Sequence, residues 1–249
     1  MAPVPASQLA DHFLTLGCRV EGETDFDVGG LSHVEDGRLS TLAWNRGACE
    51  DSSLEVGILV GTFPPFGDSQ PLVSANLHVA SLNPRRVLRS VILKFFPPED
   101  RAVVAVGRDC EIHPSAVLGA NGQGYDWDSD HWESFPHVGG LRIEAGVDVG
   151  PCASIMRGSI GDTVIGRGTK IGNGVNIGHD TRIGTNVLVV SGASLAGWVR
   201  VGNDAKIWQG AMIKNGVRVG EGAQIAMGAV VLKDIPPHEV WGGNPARKL

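Results

Sequence analysis

Tyrosine is nearly missing, with one residue in 249, and cysteine is scarce at four. Cys18, Cys49, Cys110 and Cys152 lie far apart with no C-x-x-C, which excludes a zinc knuckle and a disulfide framework and leaves packed, reduced thiols as the expectation. No apolar run approaches the length that crosses a bilayer, so no transmembrane segment is expected. The N-terminal MAPVPASQLADHF lacks the basic and apolar regions of a secretory leader, and a cytoplasmic protein is the expectation. Positive charge is in deficit, with a formal net charge of −6, which argues against a nucleic-acid partner.

What is abundant is glycine, 35 residues, and an order that glycine punctuates. Ile165, Ile171, Ile177, Ile183, Val189, Leu195, Val201, Ile207, Ile213, Val219, Ile225 and Val231 follow one another at an unbroken spacing of six. Neither a helix nor an ordinary strand has that period. Two residues before each of the last eleven stands a small or β-branched side chain, from Thr169 to Ala229, and glycine follows six of the twelve. The pattern predicts a parallel β-solenoid in which each hexad gives one short strand and one turn. Three hexads close a coil of eighteen residues, and successive coils stack at the ordinary strand spacing of about 4.8 Å. In that reading the recurrent glycine relieves the turn backbone. Shorter runs, Val106, Ile112, Leu118 and then Ile143, Val149, Ile155, precede the array, and the step from Ile155 to Ile165 is ten, a single slip of register.

Residues 1–100 read differently, as a small α/β domain ahead of the solenoid domain of residues 101–249. Ser7 is expected to cap a short helix carrying Leu9, Phe13 and Leu16 and ending near Gly17. Leu54 to Gly61 and Ala75 to Ser81 read as buried strands. A second helix, capped by Asn83 and opened by Pro84, presents Val87, Leu88, Val91, Ile92 and Phe95 and stops at Pro97-Pro98.

The hexads resemble the left-handed parallel β-helix of the hexapeptide-repeat acyltransferases, and the left hand comes from that resemblance. VEGETDFDVGGLSHVEDGRLSTLAWN (Val20 to Asn45), GANGQGYDWDSDHWESFPHVGGLRI (Gly119 to Ile143), ASIMRGSIGDTVIG (Ala153 to Gly166) and VNIGHDTRIG (Val175 to Gly184) resemble, in order, the UDP-3-O-acylglucosamine N-acyltransferases of lipid A synthesis. In that family the N-terminal domain holds uridine, for which Trp44 and Asn45 are the nearest candidates here. Fewer coils stand between the N-terminal domain and the Tyr125 loop than the family carries. VVLKDIPPHEVWGGNPARKL (Val230 to Leu249) instead resembles the closing segment of hexapeptide transferases that use acetyl-CoA. Lys233, Arg247 and Lys248 are the candidates for the coenzyme's phosphates, with a solvated basic tail as the alternative for the last two.

Amide formation from a thioester needs a base for the amine's proton and a donor for the oxyanion. His179, alone among eight histidines in the unbroken run, sits two residues after Ile177, where a side chain leaves the coil. It matches the catalytic histidine of the family motif I-A-H-N. Gly197 follows by eighteen residues and is expected to stack on His179; the resemblance implies an oxyanion role there, and a plain turn glycine is the alternative. Asp180, the next residue, is a candidate to orient or tune the imidazole, with the outward direction usual for its position as the alternative. Where the family has a second histidine, associated with the acyl donor, this chain has Gly216. Asn173 and Asn176 match polar positions near the family site. Tyr125 and Asp126, in an acidic and aromatic insertion, are candidates to wall the acceptor sugar and hold its ammonium group, or to pack on a neighbouring subunit.

The expected activity is therefore transfer of a short acyl group, acetyl above all, from acyl-CoA to the amine of a nucleotide-linked amino sugar for surface polysaccharide or deoxysugar synthesis. A homotrimer with no metal is expected from the resemblance. The alternative is the lipid A reaction itself, with a 3-hydroxyacyl carrier protein as donor. A zinc carbonic anhydrase, which needs three converging histidines, and a non-catalytic scaffold are the readings from other classes.

Overall fold

In the computed structural model, residues 3–16, 18–22, 27–28, 30–33, 41–44, 55–61, 74–80, 84–97, 104–128 and 130–249 are described. The chain divides into two compact units. Met1–Pro98 joins Gly124–Pro136 in the first, and Glu99–Gln123 joins His137–Leu249 in the second.

The second unit is the parallel β-solenoid that the period of six predicts. Its strands, mostly two residues long, fall into three parallel stacks that repeat along the chain. Ile165 pairs with Ile183 and Ile183 with Val201; Ile171 pairs with Val189; Ile177 pairs with Leu195. Each partner lies eighteen residues on. Both the repeat position and the residue two before it face inward: Ile165, Ile177 and Ile207 are buried to 1% exposure or less, as are Val175, Ala193 and Ala205. Two of the buried threonines on the inner side bond to the coils themselves, Thr169 Oγ1 donating to the Gly184 carbonyl at 2.9 Å and Thr181 Oγ1 to that of Ala196 at 3.1 Å.

The earlier, shorter runs belong to the same stacks. Ile143, Val149 and Ile155 pair with Val106, Ile112 and Leu118, so the segment between those runs is an excursion from one enlarged coil. The slip after Ile155 enlarges the next coil: Asp148 pairs with Lys170 and Ile155 with Ile177, each twenty-two residues apart.

The glycines after the repeat position do other work than expected. Positive φ falls three residues after the repeat position, at Gly168, Gly174, Asp180, Asn186, Gly192, Trp198, Asp204, Gly210, Gly216, Gly222 and Gly228. The glycine directly after the repeat position is required by proximity instead. A Cβ on Gly166 would drive into the Gly184 carbonyl, and one on Gly178 into the Gly197 amide nitrogen. The chain spends these residues on letting one coil approach the next.

In the first unit, α1 (Ala6–Thr15) and α2 (Pro84–Phe95) accompany a five-stranded sheet in the order 19–22, 74–80, 55–61, 41–44, 30–33. Its first pair is antiparallel and the rest parallel. Helix α1 starts two residues earlier than expected, with Pro5 rather than Ser7 at the cap and no side-chain capping bond, so Ser7 lies inside the first turn. Asn83 and Gly17 are outside the described residues. Leu9, Phe13, Val87, Leu88, Val91 and Ile92 are buried, and Phe96 rather than Phe95 completes the apolar side of α2. Between the helices, His12 Nε2 meets Ser90 Oγ at 3.1 Å, and Lys94 Nζ donates to His12 Nδ1 at 3.2 Å.

Gly166→Ala is expected to cost about 1–3 kcal/mol of stability because backbone, not a flexible side chain, stands in the way. Gly228→Asn, at φ +65° with open space around it, is expected to cost under about 1 kcal/mol; urea melts of the two variants check the contrast. Burial, and then the Lys94 ammonium, lower the His12 pKa. The unfolded chain therefore binds the proton more readily, and the pairing of α1 with α2 weakens as pH falls through about 6.5, the unfolded value. Hydrogen exchange of α1 amides at pH 5 and pH 7.5 reads this directly.

Candidate active site

His179 stands at a solenoid corner, two residues past Ile177, with its side chain 18% exposed. Its Nδ1 lies 2.6 Å from Asp180 Oδ2. Of the two readings of Asp180, the one that turns it toward the imidazole fits this geometry. Its backbone takes the left-handed turn conformation, φ +57°, and turns the carboxylate inward to complete burial. There the Ser159 amide donates to both carboxylate oxygens at 3.0 Å, the Ser159 hydroxyl donates to Oδ2 at 2.5 Å, and the Ile160 amide donates to Oδ1 at 3.3 Å.

Ser159 and Ile160 lie in the ten-residue step between Ile155 and Ile165. The additional residues of that step fold into a cradle of N–H and O–H donors under Asp180. A buried carboxylate so surrounded stays ionised, because each donor stabilises the charged form. An ionised carboxylate only accepts, so Nδ1 of His179 carries the proton and Nε2 keeps its lone pair.

That lone pair is directed toward Gly197. A Cβ on Gly197 would lie 2.8 Å from His179 Nε2 and 3.2 Å from Asn215 Nδ2. The Gly197 amide donates to no group of the chain among the described residues, whereas Ala196 and Trp198 donate to the carbonyls of Ile213 and His179. With Met212–Ile213 paired to Val230–Val231, the register stacks His179, Gly197, Asn215 and Lys233 at one corner, about 4.8 Å per coil. The neighbouring turn position carries Asp180, Trp198 and Gly216. Trp198 is a bulky residue at φ +66°, with its ring centroid 6.3 Å from that of His179.

A second histidine completes the corner, and the sequence reading passed over it. His137 is 3% exposed; its Nε2 accepts from the Gly122 amide at 3.1 Å, and its ring meets that of His179 edge to face at 5.5 Å. Nothing in the hexad pattern marks it, because it lies where the chain re-enters the solenoid from the excursion.

The remaining candidates disperse. Asn176 lies on the flat face leading into the His179 corner, while Asn173 occupies the preceding corner. Tyr125 and Asp126 belong to the first unit, on a hairpin of Tyr125–Asp128 with His131–Ser134. Asp126 is engaged by Arg85 at 3.0 Å and Glu133 by Arg89 at 2.9 Å, so these carboxylates fasten the hairpin to α2. Trp44 ends a strand of the N-terminal sheet, and Asn45 lies outside the described residues. Lys233 Nζ sits 5.0 Å over the Trp241 ring. Lys248 pairs with Glu239 at 2.6 Å, and that bond, followed by the one from Trp241, lowers the Glu239 pKa. Arg247 is exposed on the last strand. Among the described residues no three His, Cys, Asp or Glu side chains are grouped as a metal requires, and no helix is long and apolar enough to cross a membrane.

Residues 162–197 and 199–233 match the family of the bacterial transferase hexapeptide, six repeats. The solenoid is built of transferase hexapeptide repeats. The resemblance to UDP-3-O-acylglucosamine N-acyltransferases also stands. The enzyme of that name from Methylorubrum populi is 34% identical over 144 residues, 58% of this chain and 41% of the relative. The one from Chromohalobacter salexigens is 39% identical over 94 residues, 38% of this chain and 25% of the relative. The chain thus spans less than half the length of these curated relatives. Among solved structures, the UDP-N-acetylglucosamine O-acyltransferase of Moraxella catarrhalis superposes with a TM-score of 0.53 at 21% identity, covering 59% of this chain and 55% of that one, a likeness of fold.

Asp180→Ala is expected to lower stability by about 3 kcal/mol or more, since it strands the Ser159 and Ile160 donors in a dry site, and Ser159→Ala by about 1.5–3 kcal/mol. Equilibrium denaturation of both variants tests the ranking.

Proposed function

We propose that this chain is an N-acyltransferase acting on a nucleotide-linked amino sugar. The observation that carries the reading is the His179–Asp180 pair with Gly197 close to Nε2, its amide donating to no group among the described residues. In this reaction the neutral amine attacks the thioester carbonyl, and His179 Nε2 takes the amine's proton as the C–N bond forms. The Gly197 N–H meets the oxyanion. The C–S bond then breaks, and the imidazolium returns its proton to the departing thiolate. Asp180 holds the productive tautomer and stabilises the imidazolium throughout.

The relatives' name supports UDP-3-O-acylglucosamine as the acceptor, ahead of the short-acyl substrates expected from the sequence. The donor is a thioester of coenzyme A or of an acyl carrier protein. The corner column from His179 through Asn215 to Lys233 suits the extended arm that either donor carries, with its phosphate toward Lys233. The acetyl-CoA reading keeps one observation of its own: a bulky side chain, Trp198, follows Gly197 with its ring centroid 6.3 Å from that of His179, which suits a short acyl group better than a long one. Assembly as a homotrimer accompanies both readings.

Thiol release is the measurement, with acetyl-CoA and UDP-, dTDP- and GDP-linked amino sugars in one set and hydroxyacyl carrier protein with UDP-3-O-acylglucosamine in the other. Turnover in one set names the donor, and His179→Ala is expected to lower kcat by about 10²–10⁴-fold with the fold intact. Full activity of that variant would remove His179 from the chemistry.

A further inference from the structure

We propose that His137 is a positioning residue that seats Gly122 against His179 only while its own imidazole is neutral, giving the corner a second, separately titrating proton switch. This rests on the acyltransferase reading for its kinetic consequence, but its structural content stands without it.

The Gly122 amide can only donate, so His137 Nε2 must accept, and the proton of the neutral ring stays on Nδ1. A protonated His137 has no lone pair at Nε2. The Gly122 N–H would then face an N–H, and Gly122 would lose its hydrogen bond to the corner, with Ala120 still held by the Arg157 amide at 2.9 Å.

Gly122 is placed where that matters. A Cβ there would lie 2.8 Å from His179 Cδ2, 3.1 Å from His179 Cβ and 3.1 Å from His137 Nε2, so the bare Cα is wedged between the two rings. One side of the His179 ring is therefore held by Gly122, and its Nδ1 by Asp180. The same wedge keeps the rings edge to face at 5.5 Å.

The charged groups around His137 are few. The corner supplies His179 and the buried Asp180. The enlarged coil supplies Arg157, whose Nε donates to the Gly139 carbonyl at 2.7 Å, and Asp162, which accepts from the Gly140 amide at 2.8 Å. Segment 120–123 contributes Ala, Asn, Gly and Gln and no charge. Arg157 and Asp162 both grip the Gly139–Gly140 peptide, through its carbonyl and its N–H, close along the chain to His137.

The site is competent with both imidazoles neutral and is lost as pH falls through both ionisations. In the full-length wild type, log kcat is expected to fall about two decades per pH unit at the acid extreme, against about one decade for a single essential base. His137→Gln removes the titration while its side-chain oxygen can still accept from Gly122. It is expected to restore a single-ionisation acid limb and to stay within roughly threefold of the wild-type rate at pH 8. His137→Phe keeps the ring and removes the acceptor, and is expected to lose roughly tenfold or more at every pH, as misplacement beside a reacting group does.

In parallel, NMR titration of the imidazole and Gly122 amide signals in the wild-type protein, without substrates, is expected to show the Gly122 amide shifting with the His137 ionisation. A Gly122 amide that ignores that ionisation, or a His137→Gln variant with an unchanged two-proton acid limb, overturns the proposal. Absence of turnover in wild type with every donor and acceptor would sink the acyltransferase reading instead, and the NMR titration would still decide the role of His137.

Discussion

Every coil of the solenoid hydrogen-bonds to its neighbour at the spacing of adjacent strands, and that one repeat distance determines what this chain can build. It makes residues eighteen apart in sequence neighbours in space, as with Ile177 and Leu195. It also leaves no room for a side chain at the glycines that follow the repeat position, where one coil's backbone lies against the next. A close-packed stack of this kind resists deformation, so a group placed at a corner is held by its own coil and by those on either side. His179 gains its fixed relation to Gly197 from this geometry alone.

The chemistry nonetheless arises where the repeat is broken. A regular coil offers backbone donors that the neighbouring coil consumes, and it has little left for a buried carboxylate. The ten-residue step after Ile155 supplies Ser159 and Ile160 outside the regular ladder, and their donors are committed to Asp180. The excursion between Ala120 and His137 brings Gly122 and His137 back to the same corner. Two interruptions of the register thus converge on one histidine. The strain visible there, a tryptophan held at positive φ beside it, fits a site in which local preference yields to placement.

This division explains what was readable beforehand. Stack membership, the inward residues and the pairing of His179 with Gly197 follow from counting by six and eighteen, so the period alone carries them. The turn glycines misled because two different constraints favour glycine: left-handed φ at the third residue after the repeat position, and closeness at the first. The outward alternative for Asp180 is the usual one for a turn residue next to an exposed position, and only the donors from a non-repeating segment reverse that. His137 and the pairing of Asp126 with Arg85 depend on contacts between segments with no shared period, which no count along the chain reveals. Trp44 and Asn45 rested on resemblance rather than on periodicity.

The two histidines show how far backbone and carboxylate geometry alone can fix proton positions. His179 is bound at Nδ1 by an anion and keeps Nε2 open; His137 is bound at Nε2 by an amide and keeps its proton on Nδ1. The first arrangement leaves a lone pair free at Nε2 and so suits a group that must accept a proton in passing. In the second, protonation costs the Gly122 bond. Both rings carry their proton on Nδ1 but differ in what holds them, a carboxylate at Nδ1 in one and an amide at Nε2 in the other, so one lone pair stays open while its neighbour's is engaged. Gly122 is the joint between them, and a residue with any side chain at that point would separate the rings.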